Sequence, residues 1–295
     1  MTRWPDPPRL AGAFYKAHGL GNDYLVFEEG DAWPATPVGV SRVCDRQRGP
    51  GADGIVALLR QRADGIFRLR MFNPDGSEFE RSGNGLRILA SYLARAGEID
   101  PPYTVVVGGH HVTLYVHASG GHAHDVSVEM GRARIGPDAV ELDPAALATG
   151  GRLPGPGGEP LHVVPVSVGN PHLVVLCDDP TDKLLAELGP FLVTHPALAH
   201  GANIQLARRL DGDSCTALIW ERGVGPTSAS GTSACAVAVA MVSEGRMPPG
   251  VVTVKMPGGS LTVTVSADLE VVLRGPVEEV CTGNLTERLL AELNR

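Results

Sequence analysis

Residues 81–87 read RSGNGLR and residues 229–235 read ASGTSAC, and these two stretches decide the fold. Each places a Ser-Gly pair directly before a run with helical spacing. The first turn of a helix leaves backbone N–H groups without partners, its dipole favours an anion there, and glycine lets a ligand approach the backbone. Each stretch therefore predicts a helix start that can hold a carboxylate, although either serine taken alone is also an ordinary helix cap.

The two stretches occupy matching places in the two halves of the chain. Ser82 and Ser230 lie 148 residues apart, half of the 295-residue sequence. In each half, strand-like segments precede the Ser-Gly pair and further strands follow the helix. These matching flanks indicate an internal repeat. If a pseudo-twofold axis relates the halves, both helix starts point into one cleft, with the α-carbon of a bound carboxylate between the two serine side chains.

Composition indicates a globular protein with many short strands and turns. Hydrophobic residues make up 43% of the chain and aromatic residues only 5%, whereas glycine (37) and proline (24) are plentiful. The formal net charge is −8, and the basic residues are scattered rather than clustered. We therefore expect no nucleic acid and no membrane as a partner.

No segment has the properties of a membrane anchor or a secretion signal. The longest apolar run, residues 234–242, is too short to span a bilayer. Residues 1–8 contain three prolines and no apolar core, so we expect a disordered extension there and a cytoplasmic protein.

Cysteine and histidine residues do not form a recognisable metal motif. The five cysteines lack a CxxC pair, so we expect buried free thiols and no metal. A group of histidines lacks acidic or thiol partners at ligand spacing, and we interpret it as a solvated strand and turn. Its members are His110, His111, His117, His122 and His124.

Further motifs flank the Ser-Gly pairs in a fixed order. They are HGLGND at residues 18–23, GADG at 51–54, FNPDGSE at 72–78, GNPH at 169–172, GAN at 201–203 and ERGVG at 221–225. With these motifs the chain resembles the diaminopimelate epimerase family from about residue 14 to residue 284. The resemblance implies an α+β fold of two pseudo-symmetric domains, each a curved, mostly antiparallel sheet wrapped around a central helix. We expect an N-terminal domain at residues 1–128, rejoined by residues 276–295, and a C-terminal domain at residues 129–275.

The resemblance also implies a reaction. In the family, cysteines stand where Ser82 and Ser230 stand here, and they act on opposite faces of an α-carbon without pyridoxal phosphate or another cofactor. One cysteine removes the α-proton as a thiolate while the other delivers a proton as a thiol. We therefore expect an amino acid or a related carboxylate as the ligand, and a homodimer is a possible assembly.

Site residues carry over by motif. Around the reacting centre the resemblance implies Asn22, Gly83, Asn84, Glu221, Gly231 and Thr232. For the far end of the ligand it implies Asn73, Asn170, Asn203 and Arg222, with His172 beside the site. The residue types suit these roles. Arginine can donate two parallel hydrogen bonds to a carboxylate, glutamate can form an ion pair with an ammonium, and asparagine can donate to the first group and accept from the second. Plainer alternatives for single residues are a solvated ion pair at residues 221–222 and turn chemistry for the asparagines.

Serine in place of cysteine changes the expected chemistry. A thiol has a pKa of about 8.5, whereas a hydroxyl is a much weaker acid and needs an adjacent base. Pro226 and Arg81 also depart from the family pattern, which favours a glutamate and an apolar residue there. Three interpretations stay open. The chain is a diverged isomerase that moves protons with His172, Glu221 or Asp75, an epimerase whose thiols were replaced by serine, or a protein that binds an amino acid without turnover.

Overall fold

The computed structural model describes residues 6–59, 66–79, 81–97, 101–120, 123–148 and 150–295. Most of the predicted disordered extension, and His122 of the histidine group, lie outside these residues. The chain divides into two compact units. The first comprises Met1–Val128 and Gly275–Arg295, and the second comprises Glu129–Arg274.

The first unit combines short strands with two helices. In chain order its elements are β1 (Arg9–Leu10), β2 (Ala13–Gly19), β3 (Asn22–Glu28), β4 (Trp33–Pro34), α1 (Pro37–Cys44), β5 (Ile55–Leu59), β6 (Phe67–Phe72), β7 (Glu78–Phe79), α2 (Gly83–Ala96), β8 (Tyr103–Val107), β9 (His110–Gly120) and β10 (Ala123–Arg132), whose last residues pass into the second unit.

The second unit repeats this composition. Its elements are β11 (Arg134–Ile135), two 3-10 turns (Pro137–Ala139 and Pro144–Ala146), β12 (Arg152–Pro154), β13 (Pro160–Ser167), β14 (Pro171–Leu176), α3 (Asp182–Val193), β15 (Asn203–Arg209), β16 (Ser214–Glu221), β17 (Gly225–Thr227), α4 (Gly231–Ser243), β18 (Gly250–Met256), β19 (Gly259–Val265) and β20 (Glu270–Asn284). The last residues of β20 and the helix α5 (Glu287–Leu293) belong to the first unit.

Strand pairing follows one pattern in both units. In the first unit β2 pairs antiparallel with β3, β3 parallel with β5, β5 antiparallel with β6, β6 antiparallel with β7 and parallel with β8, and β8–β10 form an antiparallel meander. In the second unit β13 to β20 repeat every one of these relations in the same order. The predicted internal repeat is therefore visible in the topology.

A central helix packs against each sheet. Helix α2 contacts β2, β3, β5 and β9, and α4 contacts β13–β16, β18 and β19. Residues Gly231–Met241 of α4 are buried on every side, so this helix is apolar all round, as a core helix must be. The predicted α+β architecture of two curved sheets, each around a helix, is confirmed.

The opposite face of each sheet is covered as well. In the first unit, side chains of α1 such as Val40 and Val43 form a core cluster with Leu25 and Phe27 of β3. In the second unit α3 forms the corresponding cluster with β14 and β15. Strands covered on both faces are apolar at consecutive positions, which explains why their sequences alternate so weakly.

Two side predictions need correction. Not all of the free thiols are buried, since Cys281 is exposed, in a stretch of β20 where residues 280–282 are all exposed, and Cys177 is half-buried. His124 is only 7% exposed and contacts Glu279, so it is not a solvated residue. Within the described part of the chain, no cluster of potential metal ligands and no helix able to cross a membrane is present.

Candidate active site

Both serines are N-cap residues, but they cap differently. Ser82 precedes α2, and its Oγ accepts a hydrogen bond of 3.1 Å from the backbone N–H of Gly85. Ser230 precedes α4, is 7% exposed and makes no such bond. The hydroxyl of Ser82 therefore satisfies one donor of its own helix, whereas the first-turn N–H groups of α4 receive no cap from Ser230.

In the first unit, a hydrogen-bonded series leads from the start of α2 to a carboxylate. Asn84 Nδ2 donates to Asn22 Oδ1 (2.8 Å), and Asn22 Nδ2 donates to Asp53 Oδ2 (3.0 Å). Arg87 is fully buried and donates to Asn84 Oδ1 and to the Pro276 carbonyl. The Asn84 amide is thus held from both of its ends, with its orientation fixed by charged groups.

Asp53 is part of a cluster of ion pairs beneath this series. Arg46 contacts Asp23 (2.6 Å) and Asp53 (2.7 Å), and Lys16 contacts Asp23 (2.9 Å). Burial by itself raises the pKa of Asp23, but hydrogen bonds from Arg46 and Lys16 outweigh that effect and hold the pKa below its ordinary value. Asp23 is therefore a permanent anion near neutral pH.

The second unit has a matching series built from neutral groups. Asn170 Nδ2 donates to Thr232 Oγ1 (3.4 Å), and His172 Nε2 contacts Asn170 Oδ1 (2.9 Å). Gln205 Nε2 contacts His172 Nδ1 and Ser233 Oγ, both at 3.0 Å. Both ring nitrogens of His172 are occupied. Burial lowers its pKa to about 3, with a smaller lowering from the charge of Arg222, so the ring is neutral.

Turn geometry places the two asparagines alike. Asn22 and Asn170 directly follow Gly21 and Gly169, whose φ angles of 87° and 108° lie in the region that glycine favours. Each asparagine bonds a first-turn residue that follows it by 62 positions, in one case Asn84 and in the other Thr232. The repeat thus extends from the strands to the site.

Two further groups of predicted residues lie in turns. Asn73 Nδ2 donates to Ser77 Oγ, which donates to Asp75 Oδ1, and the bonds from Ser77 hold the pKa of Asp75 below its usual value. The Arg222 backbone N–H donates to Asn203 Oδ1 (2.9 Å), and its guanidinium Nη1 donates to the carbonyls of residues 200 and 201.

The structure therefore groups the predicted residues within each unit. Asn22 and Asn84 meet at the start of α2, and Asn170, His172 and Thr232 meet at the start of α4. Asn203 also approaches this second group through the carbonyl of Pro171 (3.4 Å). Asn73 is bonded within its own turn, and half-buried Glu221 ends β16.

Sequence reasoning missed several supporting residues, namely Lys16, Arg46, Arg87, Gln205 and Ser233. Two of them carried a usable signal. Arg87 follows Asn84 by three positions and so lies on the same helix face, and Gln205 follows Asn203 by two positions in a strand. A polar residue at a buried strand position was the available clue for Gln205.

Solved structures establish the fold class. A predicted epimerase from Pseudomonas aeruginosa superposes with a TM-score of 0.66 at 20% identity, covering 93% of this chain and 99% of that chain. A probable proline racemase from Agrobacterium radiobacter K84 gives a TM-score of 0.67 at 14% identity, with 93% of each chain covered. The fold of the whole chain is thus shared with a predicted epimerase and a probable proline racemase.

Sequence comparison identifies the family. The family model described as diaminopimelate epimerase matches residues 14–136 and 164–280. A diaminopimelate epimerase from Desulforudis audaxviator is 39% identical over 273 residues, covering 92% of this chain and 98% of the relative. One from Synechococcus elongatus is 35% identical over 279 residues, covering 92% and 97%. The chain belongs to the diaminopimelate epimerase family.

Proposed function

We propose that the chain is a cofactor-independent isomerase that acts at the α-carbon of an amino acid, with diaminopimelate as the first ligand to test. The observation that carries this proposal is the 39% identity, over 92% of the chain, to a protein named for that reaction. The repeated Ser-Gly helix start supports it, since first-turn N–H groups suit a carboxylate.

In this proposal both helix starts serve one ligand. Gly83, Asn84, Gly231 and Thr232 bind around its α-carboxylate, and Asn22 belongs to the same group. Asn73, Asn170, Asn203 and Arg222 bind its far end. A guanidinium has five N–H donors, and the bonds of Arg222 to the two carbonyls come from a single nitrogen. Donors remain for a ligand carboxylate.

Proton transfer needs a group more basic than a serine hydroxyl. His172 is a poor choice, because both ring nitrogens are occupied and burial lowers its pKa to about 3. Asp75 has a lowered pKa and accepts from Ser77 in an exposed turn. We therefore propose Glu221 as the first base to test, with Ser82 and Ser230 facing the α-carbon and His172 in a positioning role. A single carboxylate base accounts for exchange of the α-proton, whereas inversion needs an acid on the opposite face.

A second candidate function is ligand binding without turnover. The helix-capping bond of Ser82 Oγ favours it, because the Gly85 N–H occupies one of the two acceptor positions of this hydroxyl. A protein of this kind would keep the carboxylate site and lack α-proton chemistry.

The deciding experiment follows α-proton exchange in deuterated water by NMR, over a panel of L- and D-amino acids that includes diaminopimelate. Exchange with inversion supports an epimerase or racemase, and exchange without inversion supports a different isomerase or a lyase. Thermal stabilisation by a ligand without exchange supports the binding protein. If no panel member exchanges or stabilises the protein, the proposal is wrong.

Three further predictions remain proposals. They are the absence of a resident cofactor, a homodimeric assembly and a cytoplasmic location. Mass measurement by light scattering tests the dimer, and activity of the dialysed, metal-free protein tests the cofactor.

A further inference from the structure

A buried series of hydrogen bonds ends at the start of α4, and all of its donors can point the same way. Gln205 and His172 are both 0% exposed, and Thr232 is 8% exposed. Gln205 Nε2 donates to His172 Nδ1, His172 Nε2 donates to Asn170 Oδ1, and Asn170 Nδ2 donates to Thr232 Oγ1. A hydroxyl that accepts one bond still has its own proton to donate.

The direction of this series is set at Gln205. Among the described residues its Oε1 is buried without a hydrogen-bond partner, while its Nε2 uses both hydrogens on His172 and Ser233. The reverse orientation would bury an NH₂ group with two unused donors. Buried carbonyl oxygens without a partner are more common in proteins than buried N–H groups without one. The observed orientation of the Gln205 amide therefore has the lower free energy.

We propose that Gln205 is a positioning residue which holds His172 in its Nε2–H tautomer, so that Asn170 turns its amide nitrogen to Thr232 and the Thr232 hydroxyl donates to the ligand. This inference rests on the proposed function for the identity of the ligand group, an anionic carboxylate at the start of α4. A reversed series would direct the hydroxyl proton to Asn170, leaving a lone pair that suits an ammonium. Gln205 therefore selects the charge of the ligand group without touching it.

The test compares the tautomer of His172 with ligand affinity as a function of pH. Nitrogen-15 NMR distinguishes the protonated from the bare ring nitrogen, and the His172→Gln variant identifies the signal. In the wild type we expect Nε2–H throughout the neutral range. In Gln205→Glu the new carboxylate and His172 share a proton at low pH. When this shared proton is lost at higher pH, the new carboxylate can only accept a hydrogen bond. The remaining ring proton of His172 then moves to Nδ1, and every hydrogen bond from His172 to Thr232 reverses its direction.

Affinity for diaminopimelate, measured by calorimetry, is expected to follow the same transition. It should fall by about tenfold or more in Gln205→Glu as the tautomer switches, as expected for losing a hydrogen bond to a charged group. A purely structural role of Gln205 would weaken binding equally at every pH. Thr232→Ser keeps a hydroxyl and should bind like the wild type, whereas Thr232→Val should bind about tenfold more weakly or worse.

Ser243→Ala is the matched control, since Ser243 Oγ donates to Ala240 O at the far end of the same helix. It should change neither the tautomer nor the affinity. A wild-type ring with a bare Nε2, or a tautomer that does not respond in Gln205→Glu, overturns the inference. So does a switch of tautomer that leaves affinity unchanged. If the wild type binds neither diaminopimelate nor any other member of the amino-acid panel, the proposed function fails, while the tautomer of the free protein still decides the role of Gln205.

Discussion

At the start of α2, the hydrogen bonds of Asn84 lead to buried Arg87 and, through Asn22, to Asp53. At the start of α4, the bonds of Thr232 lead through Asn170 to neutral His172 and Gln205. The strand order, the glycine turns and the spacing of 62 residues are the same in both units. One backbone plan therefore supports two kinds of side-chain chemistry, ionic in the first unit and neutral in the second.

The two serines also differ in helix capping. Ser82 caps its helix and Ser230 does not, although both have extended backbone angles. The helix start of the first unit is therefore capped by its serine side chain, and the helix start of the second unit is not. The comparison teaches that matching topology does not make the two sites chemically equivalent.

Replacing both serines by cysteine should have the largest effect on activity. If the proposed ligand position is right, Ser82→Cys combined with Ser230→Cys should raise α-proton exchange by orders of magnitude. A thiol at a helix N-terminus supplies thiolate at neutral pH, and one positioned acid or base contributes about 10²–10⁴-fold. The measurement is deuterium exchange of diaminopimelate by NMR. Each single change should give much less, because inversion needs an acid and a base. A double variant that binds tightly but exchanges no faster than the parent would exclude this position for the α-carbon.

The ionic network can be broken at Arg87, with Cys235 as its counterpart. These residues occupy matching positions in α2 and α4, and both are fully buried. Arg87→Ala leaves the Asn84 and Pro276 oxygens without their donor and opens a cavity, and we expect a loss of roughly 2–5 kcal/mol in the free energy of unfolding. Cys235→Ala removes one sulfur atom from a small buried side chain, and we expect a loss of about 1 kcal/mol. Urea unfolding of both variants gives the comparison, and equal losses would show that the hydrogen bonds of Arg87 do not stabilise the first unit.

Acid should affect the two units through different groups. The pKa of His172 in the folded protein is lowered to about 3, below its ordinary 6.5, so the unfolded chain binds an extra proton between these values. Stability from this residue is complete above about pH 6.5 and declines as the pH falls toward 3, by up to a few kcal/mol. Asp23, whose pKa is also lowered, adds a separate loss below its ordinary value of 3.8. In urea titrations from pH 7 to pH 4, His172→Gln should remove most of the slope, and an unchanged slope would show that His172 is not its source.

The smallest effect on stability is expected at Arg222. Its side chain is exposed and, within the described part of the chain, bonds to the loop carbonyls of residues 200 and 201. Arg222→Ala should therefore cost about 1 kcal/mol or less and move the melting temperature by only a few degrees. Ligand affinity should fall by roughly 10- to 100-fold, as expected for a lost charge-assisted bond. Calorimetry with diaminopimelate and a thermal melt measure the two quantities, with Arg208→Ala, at another exposed arginine on a loop carbonyl, as the control. A variant that unfolds instead would make Arg222 a structural residue.

Local chemistry explains what could be predicted. Serine before glycine and an apolar run predicted both helix starts, at Gly83 and Gly231, because the start of a helix depends on residues close together in the sequence. Glycine-rich turns and apolar segments predicted the strands and their repetition. The roles of the site residues came from motifs, and they remain proposals.

The repeat and the two helix starts followed from the sequence by itself, since they depend on periodicity and neighbouring residues, whereas the α+β class followed from the resemblance that the motifs carry. Only the tertiary structure decided that one site rests on ion pairs and the other on a neutral histidine. The contacts responsible join residues far apart in the chain, such as Asn22 with Asn84 and Gln205 with Ser233, at separations of 62 and 28 positions. Burial then sets the charge of each group. A low-dielectric interior keeps Asp23 charged because Lys16 and Arg46 contact it, and it keeps His172 neutral because the hydrogen-bond partners of the ring are neutral amides.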